Sequence, residues 1–137
     1  MSLKHSWDEA AFVPDVADGV AAWRVAARFL ELREDSLVGG LVLRRYERFA
    51  SAEARTWWVD GACVLVGPHP DTPGEPPPGD LDVAAIAPAV TGLGLRFVTV
   101  DLARRDDGAW RVVELGDGQV SDHPADLDPV QLIQALA

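Results

Sequence analysis

The sequence predicts an α+β fold, a mainly antiparallel sheet with helices packed on one face. Two observations carry this prediction. Two pairs of strand-forming segments are each joined by an Asp-Gly dipeptide, at residues 60–61 and 107–108, and Asp-Gly is typical of tight turns between antiparallel strands. Segments with the periodicity of amphipathic helices stand before, between and after these hairpins. With 137 residues, the chain is expected to form one domain, 1–137.

The first helix is expected over residues 19–33. Asp18 precedes it and can cap the free amide groups of its first turn. Its apolar residues, Trp23 and Leu30 among them, recur at helical spacing and therefore share one face. A strand is then expected to begin at 41–43 and to continue towards Phe49.

The two Asp-Gly hairpins are expected to supply the centre of the sheet. The first joins residues 55–59 to residues 62–66, and the second occupies residues 96–115. Between them, residues 68–79 hold six prolines and are expected to form an exposed loop.

Two further helices are expected. Asp80 or Asp82 can begin one over 82–92, which Pro88 would kink or shorten. Asp128 can cap the last one, because a first-turn proline and then an apolar stripe follow it. Four apolar helix residues are expected to be buried against the sheet: Trp23, Leu30, Leu132 and Leu136.

The second hairpin carries the strongest functional signal. If Asp107-Gly108 is a two-residue turn, Asp101 lies directly opposite Glu114 on the open face of the sheet. Their Cβ atoms would be ~5 Å apart, where like charges repel. A divalent cation with a preference for oxygen ligands, such as magnesium, would offset that repulsion. Asp117, in the following glycine-flanked turn, adds a third carboxylate. A solvated acidic face without a metal is the alternative.

The basic residues cluster in sequence within an otherwise acidic chain. Arg44, Arg45, Arg48 and Arg55 lie close together in sequence, and Lys4 is the only lysine. Guanidinium groups bind oxyanions through two parallel hydrogen bonds. An anionic ligand beside the acidic hairpin would need such partners, whereas a solvated strand face is the alternative.

Composition excludes several classes of function. The net charge of −10 argues against non-specific nucleic-acid binding, which depends on basic surface. No apolar run reaches the ~20 residues that span a membrane, and the first residues show no signal-peptide pattern. Cys63 is the only cysteine, which favours a cytoplasmic protein. The histidines, His5, His69 and His123, show no metal-ligand spacing and are expected to be exposed.

These segments resemble the C-terminal half of an ATP-grasp domain, in a poorly characterised branch of predicted ATP-dependent ligases. The resemblance is clearest at residues 97–103 and at 112–121, where the motif Glu-x-Gly-Asp-Gly-Gln-Val-Ser is its most specific part. It extends over almost the whole chain through three more segments: 4–10, 42–47 and 53–58.

The resemblance implies a metal site for ATP and Mg²⁺. Asp101 and Glu114 match the two acidic magnesium ligands that hold the ATP phosphates. Many ATP-grasp proteins have an asparagine two residues after that glutamate, where this chain has Gly116. Asp117, displaced by one position, is its candidate replacement and the third metal residue.

The resemblance also implies contacts to the rest of the nucleotide. The segment ending at Glu47 is similar to the hinge whose backbone binds adenine, and Glu47 or Glu53 would meet the ribose. Arg45 and Arg55 resemble catalytic arginines near the phosphates. The further nucleotide-binding candidates are Lys4 and Arg44.

The implied function is an ATP- and magnesium-dependent carboxylate–amine (or thiol) ligase that acts through an acylphosphate on an unidentified carboxylate substrate. ATP-grasp enzymes enclose nucleotide between two subdomains, and this chain matches the second. The chain is therefore expected to be the C-terminal part of a longer protein, or a reduced relative, to partner with the missing N-terminal half and to be inactive alone. The alternatives are a non-catalytic nucleotide- or partner-binding remnant and a structural α+β domain.

Overall fold

The computed structural model describes residues 12–13, 15, 17–33, 38–123 and 128–136. The predicted nucleotide contact Lys4 lies outside these residues. The chain divides into two compact units, Met1–Tyr46 and Glu47–Ala137.

The first unit contains helix α1, Gly19–Arg33, with the predicted bounds. The Asp18 carboxylate caps it by accepting hydrogen bonds from the amides of Val20 and Ala21, both at 3.0 Å. These bonds satisfy two of the amides that a helix start leaves unpaired.

The predicted strand at 41–49 does not form. Residues 41–48 have no regular secondary structure, and Phe49 makes only an isolated bridge to Arg105. Val42 and Leu43 are 77% and 76% exposed. A strand is stable only where a neighbouring strand satisfies its backbone groups, and within the described residues this segment has no such partner.

The second unit is built on one antiparallel sheet of four strands in the order β2-β1-β3-β4. This confirms the predicted α+β fold. The strands are β1 (Ala54–Val59), β2 (Ala62–Pro68), β3 (Phe97–Arg104) and β4 (Trp110–Asp117). The unit also contains a 3₁₀ helix (Val83–Ala85), α2 (Ala87–Gly92) and α3 (Pro129–Leu136).

The β1–β2 hairpin turns as predicted. Asp60 and Gly61 have φ angles of 47° and 81°, and a type I′ turn requires positive φ at both central residues. The turn closes on the pair Val59 and Ala62.

The β3–β4 hairpin turns differently. Arg104, not Arg105, pairs with Trp110, and Gly108 has a positive φ of 86° whereas Asp107 does not. The pairing near the turn is therefore shifted by one residue from the predicted register. A β-bulge between Asp101 and Leu102 corrects the shift, because a bulge sets two residues of one strand against one of the other.

The core lies on one face of the sheet, which we call the core face. It consists of strand residues with Ile86 and Val90 packed against them. Asp82 begins the 3₁₀ helix by accepting from the amides of Ala84 and Ala85, and Pro88 stands in the first turn of α2. The core-face strand residues are Trp58, Val98, Val100 and Leu102.

The predicted burial of the long apolar helix residues is wrong for two of the four. Trp23 is 67% exposed and Leu136 is 38% exposed, whereas Leu30 and Leu132 are half-buried. Periodicity identifies the apolar face of a helix but not what covers it. No helix in the described part of the chain is both long and apolar enough to cross a membrane.

Candidate functional site

The sheet face opposite the core face carries the candidate site, and we call it the Asp101 face. Side chains alternate between the faces of a strand, so Asp101 points away from the core residues Val100 and Leu102. Asp101 lies directly opposite Arg55 on β1 and Glu114 on β4. The three charged residues thus form a row across three strands.

Arg55 and Asp101 form a bidentate ion pair. The Arg55 Nε donates to Asp101 Oδ1 and Nη2 donates to Oδ2, both at 2.8 Å. The two residues are 8% and 2% exposed. The Asp101 face is therefore closed at this point and not open as expected, and the positive charge beside Asp101 comes from the neighbouring strand.

His69 joins this ion pair, although the sequence predicted an exposed loop histidine. It is 4% exposed, and its Nδ1 accepts a hydrogen bond from the Asp71 amide at 3.2 Å. That bond places the ring proton on Nε2. Nε2 lies 3.4 Å from Asp101 Oδ2, so the imidazole is a second donor facing the carboxylate.

Glu53 completes a set of potential metal ligands with His69 and Asp101. One ligand atom from each residue lies within 4.8 Å of the others. However, the Arg55 Nη2 is 2.8 Å from Asp101 Oδ2 and 3.1 Å from His69 Nε2. The guanidinium therefore occupies the space where a cation bound by all three residues would lie, and it already supplies the positive charge.

The ion pair controls the ionisation of both partners. Burial by itself would raise the pKa of Asp101, but hydrogen bonds from Arg55 and His69 outweigh it and lower the pKa to about 2. The hydrogen bonds to Asp101 in turn raise the pKa of Arg55, although burial opposes this. Asp101 is thus a fixed anion and Arg55 a fixed cation at neutral pH.

Glu114 and Asp117 occupy different positions relative to Asp101. Glu114 is exposed on the Asp101 face. Asp117 pairs with Val98, a core-face residue, at the last position of β4. Gly116 pairs with Thr99 and is the residue of this turn that stands on the Asp101 face.

The turn after β4 wraps around Asp117. Its carboxylate accepts from the Gln119 amide at 2.9 Å, and its carbonyl accepts from the Ser121 hydroxyl at 2.8 Å. The Ser121 hydroxyl lies 2.8 Å from that of Thr99. The third predicted metal residue therefore holds its own turn together.

The remaining predicted residues are not gathered at the ion pair. Glu47 is half-buried and accepts hydrogen bonds from Arg105 and Arg111, which lower its pKa. Arg44 and Arg45 belong to the first unit and are exposed.

His69 is the site residue that the sequence analysis missed. Arg55 pairs with Gly67 on β2, and His69 stands two residues later, so strand alternation places it on the same face. Glu53 follows the same rule, two residues before Arg55. The signal was present, but it required knowing that β2 extends to Pro68.

Comparison with known proteins assigns the chain to a family. A family model for the ATP-grasp domain, the third family of its clade, matches residues 1–136. The chain belongs to the ATP-grasp family. Its second unit is therefore the part of an ATP-grasp domain that contains an antiparallel sheet, and the domain is of the ligase type. No curated protein and no solved structure matches the chain.

Proposed function

We propose that this ATP-grasp domain binds ATP with magnesium on the Asp101 face, as part of an ATP-dependent carboxylate–amine (or thiol) ligase. The observation that carries the proposal is the row of Arg55, Asp101 and Glu114 across three strands. It sets a buried, permanently ionised carboxylate directly opposite an exposed one.

The donor set fits magnesium. A carboxylate offers about four lone-pair positions, and at Asp101 two accept from Arg55 while a third faces His69. One position is left for a metal. Glu114 is exposed and lies on the neighbouring strand, and oxygen ligands from one or two carboxylates are typical of magnesium sites that also use phosphate oxygens.

Arg55 and His69 are positioning residues in this proposal. They hold the Asp101 carboxylate in one orientation and keep it ionised, so that it needs no reorganisation when a ligand arrives. Arg55 also donates through Nη1 to the carbonyl of Asp122 at 3.2 Å. Since its donors are engaged within the protein, we assign direct phosphate contacts to the exposed Arg44 and Arg45.

The other nucleotide contacts follow the family resemblance. Glu47 and Glu53 are proposed to meet the ribose, and Lys4 to reach the phosphates. Magnesium, when bound, would neutralise phosphate charge during transfer. The reaction class is transfer of a phosphoryl group from ATP to a substrate carboxylate, followed by displacement of phosphate by an amine or a thiol.

Calorimetric titration of the chain with ATP, with and without Mg²⁺, tests the proposal. We expect saturable binding that requires the metal, because two carboxylates facing polyphosphate without it would repel. Equal heats with and without Mg²⁺, or none in either case, would remove the support for a nucleotide site here. Trapping an acylphosphate with hydroxylamine then separates a ligase from a domain that only binds.

A further inference from the structure

Two buried ring nitrogens on the Asp101 face have no hydrogen-bond partner among the described residues. They are Trp57 Nε1 and His123 Nε2. The two rings are neighbours, with centroids 5.9 Å apart, and Trp57 also stacks on Phe97 with centroids 6.0 Å apart. Trp57 is 1% exposed.

The missing partner at Trp57 stands in contrast with its neighbour in sequence. Trp58, on the core face, is equally buried, and its Nε1 donates to the Thr56 hydroxyl at 2.7 Å. A buried donor without a partner costs about 1–3 kcal/mol. The sheet thus satisfies the indole of its core and leaves unsatisfied the indole on the candidate site's face.

These nitrogens lie beside the ion pair of the candidate site. Trp57 pairs with Thr99 and stands two residues along β1 from Arg55. Arg55 donates to the carbonyl of Asp122, the residue before His123. One guanidinium therefore links Asp101 to the segment that places the His123 ring over Trp57.

We propose that Trp57 and His123 form the subsite for the carboxylate group of the acid substrate, an assignment that rests on the proposed ligase function. An indole N–H can only donate, so its missing partner is an acceptor. A carboxylate oxygen accepts more strongly than a neutral group, and the stacked rings offer an apolar wall for the carbon skeleton. His123 is half-buried, and rotation of its side chain uncovers the indole.

Indole N–H resonances in ¹⁵N spectra test this subsite on the whole chain. The chain has five tryptophans, and Trp57→Phe and Trp58→Phe identify two of the signals by their loss. Benzoate is the probe, and benzamide is the neutral probe of the same shape. We expect benzoate to shift the Trp57 signal saturably and downfield, benzamide to shift it several-fold less, and neither to move the Trp58 signal.

A second measurement keeps the subsite separate from the nucleotide site. Trp57→Phe retains an aromatic ring, so we expect it to lose saturable benzoate binding while its calorimetric response to ATP and Mg²⁺ stays unchanged. A Trp57 signal that benzoate leaves in place, in a chain that binds ATP with Mg²⁺, would overturn the subsite and spare the nucleotide site. Failure of the chain to bind ATP would contradict the nucleotide site, whereas the benzoate shift alone decides the subsite.

Discussion

Asp101 is the residue on which the site depends. It is buried at 2% exposure, and its two oxygens accept from one guanidinium while an imidazole nitrogen faces them. Removing one partner of a buried ion pair leaves the other charge uncompensated, at a cost that is larger than the net contribution of the pair.

We therefore expect Asp101→Asn to destabilise the fold by about 3–5 kcal/mol. Asp80→Asn is the matched control, because Asp80 pairs with Arg104 in the same unit and its side chain is 59% exposed. An exposed pair contributes about 0–1 kcal/mol. Urea unfolding measures both variants, and equal losses of stability would contradict the account of the Asp101 pair.

The same pair predicts how stability depends on pH. The folded-state pKa of Asp101 is about 2, below its usual 3.8. The stabilisation is therefore complete above about pH 4 and is lost as the pH falls towards 2, and it amounts to roughly 2 kcal/mol. Urea unfolding across this range should show the gap between the wild type and Asp101→Asn narrowing, whereas a constant gap would argue against the depressed pKa.

At the scale of elements, the β3–β4 hairpin shows what the sequence could predict. Strand alternation and the Asp-Gly turns were sufficient to predict two hairpins and the facing of Asp101 and Glu114. The predicted two-residue turn at Asp107-Gly108 was wrong, but the bulge beside Asp101 offset the shift. The facing was thus confirmed by a compensation that the sequence did not reveal.

The long-range pairing was out of reach of the sequence. Arg55 and Asp101 are 46 residues apart, and no local pattern indicates that β1 lies beside β3. The hairpin could therefore suggest that two carboxylates need a cation, but not that Arg55 already provides one. The same limit hid His69, which the β1–β2 pairing brings to the face.

Gly116 is expected to be required by the turn that follows β4. A Cβ at this position would lie 2.4 Å from Thr99 Oγ1 and 2.9 Å from Ser121 Oγ, so a methyl group would break the hydroxyl pair. We expect Gly116→Ala to cost about 1–3 kcal/mol. Gly92→Ala is the control, because nothing lies within 4 Å of its added Cβ. Similar midpoints for the two variants in thermal unfolding would show that the turn tolerates a side chain.

At the scale of the whole molecule, the chain consists of two compact units, and the charged row lies in the second. The row belongs to three strands of one sheet, so its geometry is as rigid as the sheet itself. The central claim is that this row binds ATP with magnesium. Glu114 is the residue that tests it best, because it is exposed and its loss leaves the buried ion pair intact.

The most direct measurement compares the affinity for ATP with Mg²⁺ in the wild type, Glu114→Gln and Glu75→Gln, by calorimetry. Glu75 is an exposed glutamate in the proline-rich loop, so its variant removes the same charge away from the row. We expect Glu114→Gln to weaken the metal-dependent binding at least tenfold, which is about 1.4 kcal/mol, and Glu75→Gln to leave it unchanged. Equal affinities in all three proteins would contradict a magnesium site at Asp101 and Glu114.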